Sequence, residues 1–155
     1  STSRSPEVTL AEELEVVRDY LAIERMRFPD RLRPRVECDP AAGACLVPPL
    51  LLQPLVENAI RHGVSASSSA GRVGVRAEVG DAGLTIEVTD DGPGMEAPTP
   101  SPGNGTGLAN TRERLEHLYG DGHRMEITRP DGGGTRIVLE LPARREGAGE
   151  GGSRG

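Results

Sequence analysis

Apolar residues recur at two periods along this chain, and the change from one to the other separates its elements. Leu10, Leu14, Val17, Leu21 and Phe28 lie three, four or seven positions apart, the spacing of one helix face. Thr9-Leu-Ala-Glu12 ahead of them has the form of a capping box, and Pro29-Asp30 ends the helix near residue 28. The stripe needs a cover, either the domain body or a partner helix. Residues 31–39 predict a modest strand that Pro34 confines to a sheet edge, and residues 49–64 predict a helix. Val73, Val75, Ala77 and Val79 alternate with Arg72, Arg76 and Glu78, residues 84–90 alternate again, and the Gly80-Asp-Ala-Gly83 turn between them makes a hairpin. Residues 92–106 form a Gly/Pro/Ser/Thr loop without apolar period. A helix follows from about Gly107 to Tyr119, with Leu108, Leu115 and Leu118 inward. Strands near 124–129 and 135–142 are joined by Asp131-Gly-Gly-Gly134. Residues 143–155, charged and Gly-rich, predict a disordered tail. This order predicts an α+β fold, a mostly antiparallel sheet with helices on one face.

A chain of 155 residues suits one domain, and with aromatics at 2% the core must be aliphatic. The net charge of −6, the lack of a basic run and the lack of stacking aromatics argue against nucleic-acid binding. An anionic ligand must then be held locally, by backbone N–H groups, a metal or single arginines. Cys38 and Cys45 form no CxxC pair and have no His cluster nearby, so they are expected to be small hydrophobes in a cytosolic setting. The longest apolar run, Leu46 to Leu52, is broken by Pro48 and Pro49, and residues 1–6 are polar, so this segment predicts neither a membrane helix nor a signal peptide.

The helix from Gln53 to Gly63 places Leu52, Leu55, Val56, Ala59 and Ile60 on one side and Glu57, Asn58, Arg61 and His62 on the other. The polar side has two readings. One is a solvated face with a Glu57–Arg61 surface pair; the other is a binding face, in which the Asn58 amide oxygen suits a hard cation such as magnesium.

In strand 84–90, Asp90 shares parity with Leu84, Ile86 and Val88. A carboxylate continuing an apolar row is costly unless it meets donors, although an aspartate ending a strand can simply initiate a turn. Facing inward it can accept from the amine of a planar ligand such as adenine, and Gly92 and Gly94 after it clear the backbone of side chains. Gly103-Asn-Gly105-Thr106-Gly107-Leu108 opens the next helix and offers free N–H groups to phosphate oxygens. No βαβ unit surrounds it, which disfavours a dinucleotide fold. Gly132-Gly-Gly134-Thr135 serves equally as a plain hairpin turn.

Together these segments resemble the GHKL ATPase superfamily of gyrase, Hsp90, histidine kinases and MutL, and most closely its sensor histidine kinases of the LytS/YehU type. The resemblance runs from about Leu10 to Pro142. It is carried by Leu21-Ala-Ile-Glu-Arg-Met-Arg-Phe28, by Pro49 to Gly63, by Asp90-Asp-Gly-Pro-Gly94, by Gly103 to Asn110 with Arg112-Glu-Arg-Leu115, and by Gly132-Gly-Gly-Thr135. It implies a Bergerat-type two-layer α/β sandwich, a five-stranded mixed sheet under three helices, with ATP and Mg2+ between them. Asn58 matches the magnesium ligand, Arg61 and His62 positions near the phosphates, and Asp90 the adenine-reading aspartate. Gly92 and Gly94 match the first glycine box, Gly103, Gly105 and Gly107, with Thr106 and Leu108, the second, and Thr135 a polar residue near adenine. Residues 92–106 match a mobile ATP lid.

The sequence departs from wider patterns where Pro54 occupies the position of a second asparagine or a hydrolytic glutamate. Glu57, about 100° around the helix from Asn58, is then a polar support, with a catalytic role as base left open. None of His62, His117 and His123 sits in a phosphoacceptor motif, and His117 and His123 are expected at the surface. The expected organisation is a helix over 1–30 leading to an absent dimerisation and phosphoacceptor region, an ATP-binding catalytic domain over 31–142, and the tail. The resemblance implies a histidine kinase catalytic domain that is cytoplasmic within a membrane-anchored parent, with a response regulator as indirect partner. A GHKL ATPase, an anti-sigma-type serine kinase and a non-catalytic interaction module are the alternatives.

Overall fold

The computed structural model describes residues 6–65, 71–92 and 106–145. Its elements in order are β1 (Val8–Thr9), α1 (Leu10–Arg27), β2 (Leu32–Cys38), α2 (Pro40–Gly43), β3 (Leu46–Val47) and α3 (Gln53–Ala59), which runs on as a π-helical turn over Ile60–Ser65. Then come β4 (Gly71–Gly80), β5 (Gly83–Asp90), α4 (Thr106–Tyr119), a 3-10 turn over Gly120–Gly122, β6 (Arg124–Thr128) and β7 (Thr135–Leu141).

The predicted capping box forms at the start of α1: Glu12 N donates to Thr9 Oγ1 at 3.1 Å and Thr9 N donates to Glu12 Oε1 at 2.9 Å. These bonds favour the charged carboxylate and hold its pKa below the usual value. Of the two covers possible for the α1 stripe, the structure supplies the domain body. Leu10, Leu14, Val17 and Leu21 lie in the core with residues of α3 and the sheet, while Val16, Ile23 and Met26 remain exposed.

Five strands form one sheet in the order β2-β4-β5-β7-β6, with β2–β4 parallel and the other pairs antiparallel. Pro34 does sit on an edge strand. Alternation divides the sheet cleanly. Val73, Val75, Ala77, Leu84, Ile86, Val88, Ile137, Leu139 and Leu141 are buried under the helices. Arg72, Arg76, Glu78 and Arg136 face water on the other side. The core is aliphatic, and Cys45 is buried and Cys38 half-buried in it as ordinary free thiols.

Several expectations move. The second helix begins at Gln53 rather than at 49, because the chain turns first at Leu50, whose φ of 60° is left-handed. That conformation costs a non-glycine residue ~1–2 kcal/mol, and Glu13 holds it through the Leu50 amide. The sequence patterns missed α2 and the β1–β3 ribbon, both too short to show a period. Residues 143–145, assigned to a disordered tail, instead meet the segment around β3: Leu46 N donates to the Arg144 carbonyl at 2.6 Å and Cys45 bridges Arg145. The rest of that tail, 146–155, lies outside the described residues. His123, expected at the surface, tucks in its imidazole, whose Nδ1 lies 2.7 Å from the Gly120 carbonyl.

Candidate functional site

Pro54, Asn58 and His62 follow one another at four-residue intervals along α3 and its π turn, so they line one face. The predicted polar side of this helix is not uniform. Glu57 is half-buried and its Oε2 accepts from Gln53 Nε2 at 3.2 Å, and Arg61 is exposed. Asn58 and His62, in contrast, are only 4% and 5% exposed. Both amide atoms of Asn58 and the Nε2 of His62 are buried without a hydrogen-bond partner among the described residues. Each such group costs ~1–3 kcal/mol, so the face is built at the expense of stability. The solvated-face reading therefore fails for these two residues. Burial, together with the charge of Arg61, lowers the pKa of His62 and keeps its imidazole neutral at neutral pH.

Asp90 faces inward, as its parity predicts. It ends β5 on the inner face, 8% exposed, directly across from Val73 on one side and Thr135 on the other. Its Oδ1 accepts from Gly92 N at 2.9 Å. Burial outweighs that bond, and Asp91 adds its negative charge, so the Asp90 carboxyl is pushed up to about 6. Thr135 is 1% exposed and its Oγ1 too is buried without a partner among the described residues. Asp91 acts differently, on the sheet itself. Its Oδ1 accepts from Arg72 N at 2.8 Å and extends the β4–β5 pairing.

Three glycines let backbone close on Asp90. A Cβ on Gly63 would meet the Asp90 Cβ at 2.9 Å. One on Gly92 would overlap the His62 carbonyl oxygen and the Gly63 Cα, and one on Gly134, at φ +89°, would overlap the Asp90 carbonyl oxygen. The π turn, the exit of β5 and the β6–β7 hairpin thus converge at Asp90. At the other end of the face, Gly107 approaches the Pro54 Cβ, where a Cβ of its own would stand at 3.9 Å. The N-terminus of α4 lies there, anchored by Leu108 in the core and by Arg112, which donates to the Met125 carbonyl at 3.1 Å. From Pro54 to His62 the helix rises about 12 Å. Asp90 and Thr135 thus lie near one end of this face and the N-terminus of α4 near the other, with Asn58 between them along the helix.

Of the sequence-predicted site residues, Asn58 and His62 lie on this face, Asp90, Gly92 and Thr135 stand at its π-turn end, and Gly107 and Leu108 open the helix at its other end. Glu57 and Arg61 flank the face, and Thr106 is the first residue of α4. Gly94, Gly103, Gly105 and most of the loop expected to act as a lid lie outside the described residues. Sequence reasoning gave Gly63 and Gly134 no role of their own, although a glycine ending a helix beside an inward aspartate was a usable signal.

Residues 49–145 match the family described as histidine kinase-, DNA gyrase B-, and HSP90-like ATPase, and residues 1–32 match the histidine kinase family. The chain is similar to the sensor histidine kinase YesM of Bacillus subtilis, 37% identical over 141 residues that cover 90% of this chain and 24% of that protein. It is 36% identical to the sensor histidine kinase YpdA of Escherichia coli over 147 residues, covering 90% of this chain and 25% of that one. The chain thus spans about a quarter of the length of these curated relatives. Among solved structures, the histidine kinase domain of the blue-light activated histidine kinase of Erythrobacter litoralis superposes with a TM-score of 0.65 at 25% identity, covering 88% of this chain and 62% of that chain. The nucleotide-free catalytic domain of histidine kinase ThkA gives a TM-score of 0.66 at 21% identity, covering 92% and 98%, a likeness of fold alone.

Proposed function

The chain belongs to the histidine kinase-, DNA gyrase B- and HSP90-like ATPase family, and from that premise we propose that it is a Mg-ATP-binding catalytic domain which, within a longer sensor kinase, transfers the γ-phosphoryl group to a histidine outside this chain. The observation that carries the reading is the Asn58 amide, buried without a partner among the described residues on the helix whose π turn closes on Asp90. A buried polar group left without a partner calls for an explanation, and a bound ion or ligand that completes it is one.

The residues fit the group. Asn58 Oδ1 is a hard neutral oxygen suited to Mg2+, and the second Asp90 oxygen suits the exocyclic amine of adenine. Thr135 Oγ1 lies across the strand from Asp90, ready to bond the same ring edge. Arg61 and the N-terminus of α4 with Thr106 and Gly107 would hold the phosphates, and the neutral His62, at the Asp90 end of the face, would lie nearer the nucleoside. Bound Mg-ATP supplies the activated phosphoryl group, while the chain's part is positioning and neutralisation of charge. Glu57, already bonded to Gln53, supports this arrangement rather than removing a proton. The partners would be the dimerisation and phosphoacceptor domain of the parent and, through it, a response regulator. Among the described residues no helix is long and apolar enough to cross a membrane, and we place this domain on the cytoplasmic side of an anchored parent. The interaction-module alternative required the Leu10–Phe28 stripe as a working surface, but Leu10 to Leu21 are spent in the core.

The test is calorimetry with Mg-ADP followed by labelling with γ-labelled ATP. Nucleotide should bind, the isolated chain should not label itself, and acid-labile phosphate should appear on the parent's phosphoacceptor segment when it is supplied in trans. Self-labelling on a histidine of this chain, or no transfer from a nucleotide-loaded chain to that segment, would overturn the proposal.

A further inference from the structure

The buried carboxylate of Glu13 is used by nothing in the proposed reaction. It stands on α1, 4% exposed, and reaches 37 and 39 positions along the chain. Its Oε1 accepts from Leu50 N at 3.0 Å and its Oε2 accepts from Leu52 N at 2.8 Å. Both amides bear on the helix after them. Leu50 is the described non-glycine residue with positive φ, at 60°, a conformation a leucine leaves unless it is held. Leu52 is the N-cap of α3 and offers no side-chain cap of its own. Its carbonyl accepts from Val56 N at 2.9 Å, the first turn of that helix. The cap that the local sequence lacks is therefore supplied from α1, as a charged acceptor at the positive end of the helix. Asn58 stands within the next two turns of that helix.

We infer that Glu13 is a positioning residue for the nucleotide site: its two hydrogen bonds fix the left-handed turn at Leu50 and the start of α3, and with them the register of Pro54, Asn58 and His62 against Asp90. The inference rests on the nucleotide-binding reading of that face. It also makes α1 a lever on the site, since any displacement of α1 relative to the sheet pulls on the two amides.

Glu13→Gln tests it, because one carboxylate oxygen becomes an NH2 group facing an N–H donor. The Kd for Mg-ADP should rise roughly tenfold, the low end for a lost charge-assisted hydrogen bond, at a temperature where circular dichroism shows the variant folded. Backbone amides of 49–62 should exchange faster with deuterium while those of β4 and β5 do not. If Glu13→Gln does not fold, Glu13→Asp, whose shorter carboxylate reaches one amide, should show the same changes at smaller size. Leu50→Gly in either background should recover part of the affinity, since glycine takes the turn without being held, a rescue that a purely stabilising role would not give. Variants that lower the unfolding temperature but leave Kd within twofold, with unchanged exchange over 49–62, overturn the inference. If the unaltered chain itself does not bind Mg-ADP, the proposed function fails instead. The exchange pattern alone then decides whether Glu13 sets the helix.

Discussion

Replacing Asp90 by Asn should move stability and ligand affinity in opposite directions. The carboxyl is pushed up from an ordinary value of 3.8 to about 6, with burial as the leading cause. The folded chain therefore holds the proton more tightly than the unfolded chain, and stability falls as pH rises through the window from about 4 to about 6. A rise of that size corresponds to about 3 kcal/mol; with partial solvent access the cost of the buried charge above pH 6 is nearer ~1–2 kcal/mol. Asparagine removes that charge and keeps an oxygen to accept from Gly92 N, which donates at 2.9 Å in the native chain. At pH 8 the variant should melt higher by about 3–6 °C for a chain of this size, and the two melting curves should converge near pH 4. Affinity for Mg-ADP should fall by about 100-fold or more, since an acceptor for the adenine amine becomes a donor. Thermal melts from pH 4 to 8 and calorimetry at pH 8 measure both. Affinity within threefold of the native chain would refute the adenine placement, and a lower melting point at pH 8 would refute the buried-charge account.

Asn58→Ala should abolish the magnesium-dependent part of ADP affinity while lowering stability by no more than about 1 kcal/mol, because relief of the buried amide, unpaired among the described residues, offsets the packing lost. Calorimetry with and without Mg2+ and a urea melt check this. Gly134→Ala should cost about 3 kcal/mol or more, since its Cβ would overlap the Asp90 carbonyl oxygen at φ +89°. Gly132→Ala, where a Cβ meets nothing within 4 Å, is the control and should stay within about 0.5 kcal/mol in the same melt. Glu57→Gln should leave Mg-ADP affinity within about threefold and phosphotransfer to a supplied acceptor segment within about tenfold. A loss beyond 100-fold, the scale of general-base catalysis, would restore Glu57 as a base.

The β4–β5 hairpin and the inward turn of Asp90 were legible because strand parity is local: the side of Asp90 follows from Leu84, Ile86 and Val88 whatever lies above them. The α3 face was only half legible. Helical periodicity groups Glu57, Asn58, Arg61 and His62, but it does not say which of the four are covered. That depends on α4 and on β4 and β5, which pack on this helix and arrive later in the sequence. The shift into a π turn at Ile60 leaves no mark in the spacing of apolar residues. Glu13 was passed over although its spacing from Leu10 and Val17 sets it beside the apolar stripe of α1. Its two partners lie at a turn whose shape no short pattern predicts. Leu50 hid that turn, since a left-handed site is ordinarily flagged by glycine or asparagine. The cover for the α1 stripe stayed open until packing chose the body.

The segment around β3 ties both ends of the described chain to one place. Val8 and Thr9 pair with β3, Arg144 and Arg145 meet Leu46 and Cys45, and Glu7 joins Arg144 in an ion pair of 3.0 Å. Entry and exit of the described chain therefore share one corner of the molecule, while the Asp81-Ala82 turn merely joins two neighbouring strands. Such a layout tolerates reordering of the polypeptide: a short connector across that corner, with the backbone opened at Asp81, would leave the sheet order, the α1 clamp and the Asn58 face of α3 topologically intact.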